Sequence, residues 1–534
     1  MSASGRDGLV LAVDLGTSGI KVGLVSFDGQ IVFREYEPLQ TRFLENGGAV
    51  QDAEAWWQFI VNAIRRAMRT IRTRTERAAR LEQVVAVGIT GQWGSTVPVD
   101  AHGKPVGDCV MWMDTRGGPH ATKAFGGCVQ GYDPFALAAW VRKTAGMPST
   151  SGADPIGHML HLERDQPEIA RAARWFLEPV DYLSMRFTGV AAASHASMTA
   201  AWLTDNRHCD VLAYDARLVA KAGIDAGKLP PLVPTGTIVG TVREDVAVQL
   251  GIPASAKVVT GMPDLHTAAV GAGTVLDYEP HLAVSTTSWI SCPIPHKKTD
   301  IFHQIATVPG LHPSHYLVAD NQDSAGQCLR WLRDNVIAPT DGLFSHEEPP
   351  WDALVTLAGQ APVGSNGVLF TPWLHGERSP IDDRNARGGF HNLSLGTSRA
   401  HLVRAVLEGV AHNTRWLHRA VERFTKRRLD PIRIIGGGAQ SDLWCQIMAD
   451  ILDRTIEQVD EPLQANLRGM AIFVGLSLGA IRLEEVRGIV PVRRTFAPDP
   501  GRHAIYDAHH DEFKLLYGMQ KGMFARMNAT RFAL

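Results

Sequence analysis

Two acidic residues, each at the end of an apolar run and each on a glycine-punctuated loop, carry the chemistry that this chain could do. The first is Asp14, which leads into Gly16-Thr17-Ser18-Gly19 between two apolar stretches. A turn of small hydroxyl and glycine residues can aim several backbone N–H groups and two hydroxyls at one point, which suits a polyphosphate. The carboxylate beside it could hold, usually through water, the metal that accompanies nucleotide phosphates. An ordinary β-hairpin with glycine in its turn has the same pattern, so the motif needs its context. The second residue is Asp264, in Gly261-Met262-Pro263-Asp264 directly after the strand pattern Lys257 to Thr260. A carboxylate there can accept a proton from a hydroxyl within hydrogen-bond reach, or it can simply cap the helix that begins near His266.

The elements that must position these residues alternate between strand and helix. The opening hairpin runs from Leu9 to Val32. Asp52 reads as the cap of a helix whose Trp56, Ile60, Ile64, Met68 and Ile71 recur at helical spacing. Val84 to Ile89 reads as a buried strand emerging into Thr90-Gly91-Gln92-Trp93-Gly94. A turn at Asp100 to Gly103 then leads into Met111-Trp112-Met113-Asp114-Thr115-Arg116. Polar residues at strand ends are where open α/β sheets place their sites. Residues 117 to 250 are expected to be mostly helical, with a helix from Glu168 to Phe176 opened by Pro167 and another from Asp181 to Thr188 ended by Gly189. At His281 the pattern restarts: LAVSTTSWISCP echoes LAVDLGTSGIKV. Helices follow near 325–336 and 398–424. The strand Ile432 to Ile435 then enters Gly436-Gly437-Gly438-Ala439, and a helix near Leu467 to Leu478 closes the pattern. The echo implies two related α/β domains facing a shared cleft, residues 1–274 and 275–534, with the boundary near 274–281.

Composition narrows the class. A chain of 534 residues exceeds one typical core, and 45% hydrophobic with 20% charged residues describes an ordinary soluble globular protein. The net charge of −2, with no long block of one sign, excludes nucleic acid or an anionic membrane as main partner. The opening MSASGRDGLV is too polar for a signal peptide, and the apolar run Met470 to Ile481 is too short to span a bilayer. Six scattered cysteines without a C-x-x-C pair fit reduced thiols in the cytoplasm and exclude a disulfide framework or structural zinc. No G-x-x-x-x-G-K-[ST] loop is present.

Four separated stretches occur in an order and at spacings that resemble the FGGY carbohydrate kinases: LAVDLGTSGIKVGLVSFDGQIV, GMPDLHTAAVGAG, GVLFTPWLHGERSPIDDRNARGGF and RIIGGGAQSDLWCQIMADIL. HMLHLERDQPEIARAARWFLEPVDYLSMRFTG is similar to that family's first signature region. The likeness covers about Leu9 to Gly479 and looks most like the xylulokinase branch. It implies an α/β fold of two related actin/hexokinase-like (ribonuclease H-like) ATPase domains flanking a central cleft. ATP and Mg²⁺ would lie in the cleft with a sugar or polyol beside them.

The resemblance also implies roles. Asp264 takes the position of the general base that accepts the proton of the attacking hydroxyl. Asp14 orients hydrated Mg²⁺, and Gly16, Thr17 and Ser18 hold phosphates, with Lys21 either adding charge there or standing as a solvated strand lysine. Thr287 and Ser288 match the second phosphate turn. Thr286 stands where the family usually has Gly, and a β-branched residue resists positive φ, so that turn is expected to be reshaped. Gly326 and Gln327 form one nucleotide wall; Gly437, Gly438 and Ala439, with Gln446 one helical face onward, form the other. Gln92, Trp93, Asp114, Arg116 and Asp264 are the sugar candidates, while Trp112 is expected in the core. The Gly376-Glu377-Arg378-Ser379-Pro380 loop is expected to brace the fold. Trp93-Gly94 replaces the Met-His pair usual in xylulokinases, Leu265 replaces an Asn, and His158 stands near a missing Lys. D-xylulose is therefore the nearest label for the substrate. Another ketose, a tetritol or pentitol, a modified sugar, and a degenerate homologue that only binds sugar or nucleotide all stay open, as does an actin-like ATPase. The oligomeric state is unspecified, a homodimer being allowed.

Overall fold

A computed structural model describes residues 8–73, 81–129, 131–339 and 348–528. Its two central sheets repeat one plan. In the first, the strand order is Ile238–Thr241, Lys257–Val259, Val84–Gly91, Leu9–Leu15, Gly19–Ser26, Ile31–Pro38, with Met262–Pro263 also on Val84–Gly91. In the second it is Ser288–Ser291, His281–Val284, Ile432–Ile435, Ile456–Val459, Val492–Phe496. Each begins with an antiparallel hairpin whose first strand pairs in parallel with a strand from much later in the chain. The sequence echo is thus an echo of topology.

The leading strand shows why its residues point where they do. All of Leu9–Leu15 is buried, as expected of a strand covered on both faces. Alternation sends Leu11, Val13 and Leu15 into a core shared with Trp56, Ile60 and Ile64 of the Ala53–Thr73 helix. Val10 and Ala12 pack on the other side, with Met470 and Val474 of the Ala465–Ser477 helix and Ala268 of the Asp264–Ala272 helix. Asp14 has the parity of Val10 and Ala12, so it emerges on the side of the Asp264 helix.

Those two helices approach almost backbone to backbone. A Cβ at Gly271 would collide with the Ala465 carbonyl oxygen, and one at Gly469 with the Thr267 carbonyl oxygen. A late helix thereby completes the core under the first sheet.

Three expectations are corrected. The helix opened by Pro167 ends at Ala172, and Trp175–Leu177 is a strand paired with Val97–Val99, because its apolar residues alternate into that small sheet. Beyond the Leu467 region the chain adds the strand Val492–Phe496 and the helix His503–Asn528, which the expected pattern lacked. That helix is pinned to Arg399–Thr425 where Tyr506 Oη donates to Glu408 Oε1 (2.9 Å), which also pairs with Arg404 Nε (2.7 Å). Third, Trp112 is 41% exposed rather than in the core. All six cysteines are unpaired, and no helix among the described residues is long and apolar enough to cross a membrane.

Candidate active site

Parallel pairing brings the two acidic residues together. Asp14 lies opposite Thr90, and Met262 opposite Thr90 from the other side, so Asp264 begins its helix two residues beyond the strand position level with Asp14. Thr90 Oγ1 and Thr267 Oγ1 tie the strand to the helix at 2.7 Å. Asp264 is half-buried, and its Oδ1 accepts the Leu265 N–H at 2.8 Å. The cap position itself belongs to Pro263 and receives no side-chain hydrogen bond. Burial first, and then the charge of Asp14, push the Asp264 carboxyl up to about 7. A carboxylate tuned into that range is suited to taking a proton near neutral pH.

Asp14 is 5% exposed and pairs with Lys21 Nζ at 3.1 Å. Lys21 also donates to the Leu463 carbonyl (3.2 Å), so its ammonium is tied to both Asp14 and the 462–463 segment while staying partly exposed. The first turn closes with Gly16 N–H donating to Gly19 C=O at 2.9 Å, leaving Ser18 exposed and Thr17 half-buried. Thr17 is held from three sides. Its Oγ1 accepts the Trp112 indole N–H (3.0 Å) and donates to Gln92 Oε1 (3.2 Å), and its carbonyl accepts Gln51 Nε2 (2.8 Å). Trp112 is thus a cleft residue that sequence reasoning placed in the core. Its polar neighbours in Met111 to Arg116 were the available signal.

The second turn closes with Ser285 N–H donating to Thr287 C=O at 2.8 Å. Thr286 is not in the left-handed region, so the turn forms without the glycine-type backbone and the expected conflict does not arise. Ser285 and Thr286 are exposed and Thr287 half-buried. Ser288 is turned inward: it is buried, and its Oγ donates to Gln322 Oε1 at 3.0 Å. The carbonyls of Ser285 and Thr286 accept the N–H groups of Gly326 (2.7 Å) and Ala325 (2.9 Å), and a side chain at Gly326 would strike the Ser285 carbonyl. Gln327 is exposed beside it.

Gly436, at φ +88°, lies against this turn: a Cβ there would sit 2.8 Å from Ser285 Oγ. Its N–H donates to Pro462 C=O (3.1 Å), next to the Leu463 that holds Lys21. A short chain of contacts therefore joins the two turns. Gly437 is exposed with nothing within 4 Å of its Cβ position, leaving an open backbone face, while Gly438 and Ala439 are buried. Gln446 is engaged elsewhere, its amide donating to Asp450 Oδ1 (2.8 Å) and Ala497 C=O (2.9 Å).

On the sugar side, Gln92 is 4% exposed and its Nε2 has no partner. Asp114 is buried with both oxygens committed to the N–H of Ala49 (2.8 Å) and to Arg116 (2.7 Å at the shortest). Burial alone would raise the Asp114 carboxyl, but the Arg116 hydrogen bonds, the Ala49 N–H and the Arg116 charge together hold it below the usual value. Asp114 thus orients Arg116 instead of offering a free carboxylate. His158 is buried against Thr96 (3.3 Å), and burial lowers it to about 3, leaving it neutral where the family has a Lys.

The departures have local causes. Gly94 adopts φ +78°, and its N–H donates to the buried Glu178 carboxyl (2.9 and 3.2 Å), a partner not anticipated from the sequence. Leu265 packs in an apolar cluster with Ala145, Ala269, Val308 and Leu317, against Trp93 and Trp289. Trp93 meets His266 edge-on at 6.3 Å. The Gly376–Pro380 loop is a brace: Glu377 accepts the N–H groups of Asp323 and Arg378 (2.9 Å each) and Asn413 Nδ2 (2.6 Å), while Arg378 faces Asp323 at 3.6 Å.

Two linked turns beside a pair of carboxylates, one buried and one half-buried, between two sheets of one plan, define a two-domain phosphotransferase. The chain matches the N-terminal domain of the FGGY family of carbohydrate kinases over residues 9–271 and the C-terminal domain of that family over 288–478. It belongs to the FGGY family of carbohydrate kinases and is a sugar kinase. It is 26% identical to a xylulose kinase of Staphylococcus epidermidis over 522 residues, 97% of this chain and 98% of that protein. It is 26% identical to a gluconokinase of Bacillus subtilis over 477 residues, 88% of each chain. The fold matches the crystal structure of a ligand-bound xylulose kinase from Lactobacillus acidophilus with a TM-score of 0.81 at 21% identity, covering 97% of this chain and 99% of that one.

Proposed function

We propose that the chain transfers the γ-phosphoryl group of ATP to a hydroxyl of a ketose, polyol or related sugar acid, with Asp264 as the general base. The observation that carries this reading is the half-buried Asp264 carboxyl, pushed to about 7 by burial and by Asp14 at the end of the adjoining strand pair. The hydroxyl would lie within reach of Asp264, with Gln92 Nε2, Arg116 and Trp93 as its surroundings. Thr17, Ser18, Ser285 and Thr287 would meet the phosphates, and the open backbone at Gly437 the adenosine. Ser288, Asp114 and Gln446 act behind these groups, since their hydrogen bonds are already committed.

The donors suit Mg²⁺ carried by the nucleotide. Asp14 is a hard oxygen donor, and among the described residues no group of three or more His, Cys, Asp or Glu side chains could hold a metal alone. Asp14 would hold the ion through its waters, and the ion would offset phosphate charge during transfer. The lobes 1–274 and 275–534 would close over the sugar and exclude water.

Relatives of the chain act, by their names, on xylulose and gluconate, and D-xylulose remains the nearest single label. The test is ADP release with D-xylulose, L-xylulose, gluconate, xylitol, erythritol and glycerol, for the wild type and Asp264→Asn. Stimulation by one of these compounds, lost in Asp264→Asn, is the expected result. If none stimulates turnover, or Asp264→Asn turns over normally, the reading fails.

A further inference from the structure

A cavity of about 190 Å³ opens behind the Asp264–Ala272 helix. Its walls include His266 and Ala269, which lie about 200° and about 140° around the helix from Asp264, so it faces away from the cleft. The interior is apolar, with Ala269, Val275 and Leu317 buried and Leu311 and Leu483 half-buried. The mouth is polar: Asp277 and His312 are exposed there, and His315 Nε2 lies 3.7 Å from Asp277 Oδ1.

Most polar atoms of the wall are already spent. Thr274 Oγ1 bonds to Ala269 C=O (3.1 Å) and His281 Nδ1 (3.2 Å), and Tyr316 Oη donates to Asn206 C=O (2.8 Å). His266 is the exception. It is 1% exposed, and its Nε2 donates to Pro309 C=O at 2.7 Å, which assigns the ring proton to Nε2. Burial lowers this imidazole to about 4, so the ring is neutral and Nδ1 is an acceptor. That Nδ1 is buried without a partner. A chamber of this size takes one ring-sized molecule, and apolar walls disfavour a charged one.

We propose that this chamber is a second ligand site, separate from the phosphoryl-transfer cleft, for an uncharged ring-sized molecule that is apolar over most of its surface and donates one hydrogen bond to His266 Nδ1. The ligand touches the helix that carries Asp264, the 274–277 connection and Leu483, and so holds parts of both halves of the chain together.

Fluorine NMR of 4-fluorophenol with the full-length protein tests this, using the nearly isosteric 4-fluorotoluene as the probe without a donor. The wild type is expected to broaden the 4-fluorophenol line saturably, with saturating ATP causing no displacement. Leu311→Trp, which fills the chamber from its rim, should weaken binding at least tenfold. His266→Phe should reduce the preference for 4-fluorophenol over 4-fluorotoluene at least fivefold. Should Leu311→Trp fail to fold, the His266→Phe preference decides alone. Absence of saturable binding, displacement by ATP, undiminished affinity in folded Leu311→Trp or an unchanged preference in His266→Phe overturns the proposal.

Discussion

Asp14 and Asp264 sit at the ends of strands that share one neighbour, and the negative charge of the first adds to burial in raising the carboxyl of the second to about 7. Only the ionised carboxylate can accept a proton. We therefore expect kcat/KM to fall about tenfold per pH unit below pH 7 and to level off above it. Asp264→Asn should lower kcat by about 10³-fold, within the range for loss of a positioned base. Steady-state rates from pH 5.5 to 9 check both.

The same shift acts on stability with a definite sign. The Asp264 carboxyl stands above its ordinary 3.8, so between about 4 and about 7 the folded chain binds more protons than the unfolded one. Its destabilising effect is absent below pH 4, grows through that window and is complete above 7. The rise from 3.8 to about 7 corresponds to about 4 kcal/mol, roughly halved by solvent screening of a half-buried side chain. Asp264→Asn should therefore be more stable than wild type by about 2 kcal/mol at pH 8. It should show no gain at pH 4. Urea unfolding at the two pH values provides the comparison.

Trp112 donates its indole N–H to Thr17 Oγ1 at 3.0 Å and so fixes the hydroxyl that faces the phosphates in our reading. Trp112→Phe deletes the donor while keeping an aromatic ring at the position. Loss of one such bond is worth about 1 kcal/mol, so the KM for ATP should rise about fivefold with kcat nearly unchanged. A fall in kcat at constant KM would assign the bond to the chemical step instead.

Gly271 and Gly469 are the points at which the Asp264–Ala272 and Ala465–Ser477 helices touch. A methyl at either meets a carbonyl oxygen of the facing helix, and neither backbone can retreat without opening the core. Gly271→Ala and Gly469→Ala are each expected to cost about 3 kcal/mol. Equilibrium denaturation reads this directly, and a loss under 1 kcal/mol would show that the helices separate easily.

Much of the architecture could be read from local pattern. The hairpins at Leu9 and His281, the strands Val84–Gly91 and Ile432–Ile435, and the glycine-ended helices carry their own signals. The site was less legible, because hydroxyls and amides do not announce their partners. Ser288 and Thr287 are adjacent, yet strand alternation turns only one of them outward. Trp112 looks like a core residue in any apolar run, and its hydrogen-bond partner is the distant Thr17. The positive φ of Gly94 and its tie to Glu178 depend on packing between segments more than eighty residues apart. The helix His503–Asn528 has another difficulty: its anchors, among them the Tyr506 hydroxyl on Glu408, Tyr517 on Asp383 and Phe513 beside Trp373, are scattered through a largely polar sequence.

The Ala465–Ser477 helix fills the face of the first sheet that Val10 and Ala12 present. During synthesis on a ribosome, the first sheet is finished long before this helix exists. The nascent chain thus carries an uncovered apolar face and a row of small residues on the Asp264 helix until residue 477 has emerged. Fragments that stop near residue 274 should be poorly soluble, and supplying the later segment as a separate chain is the natural way to rescue them.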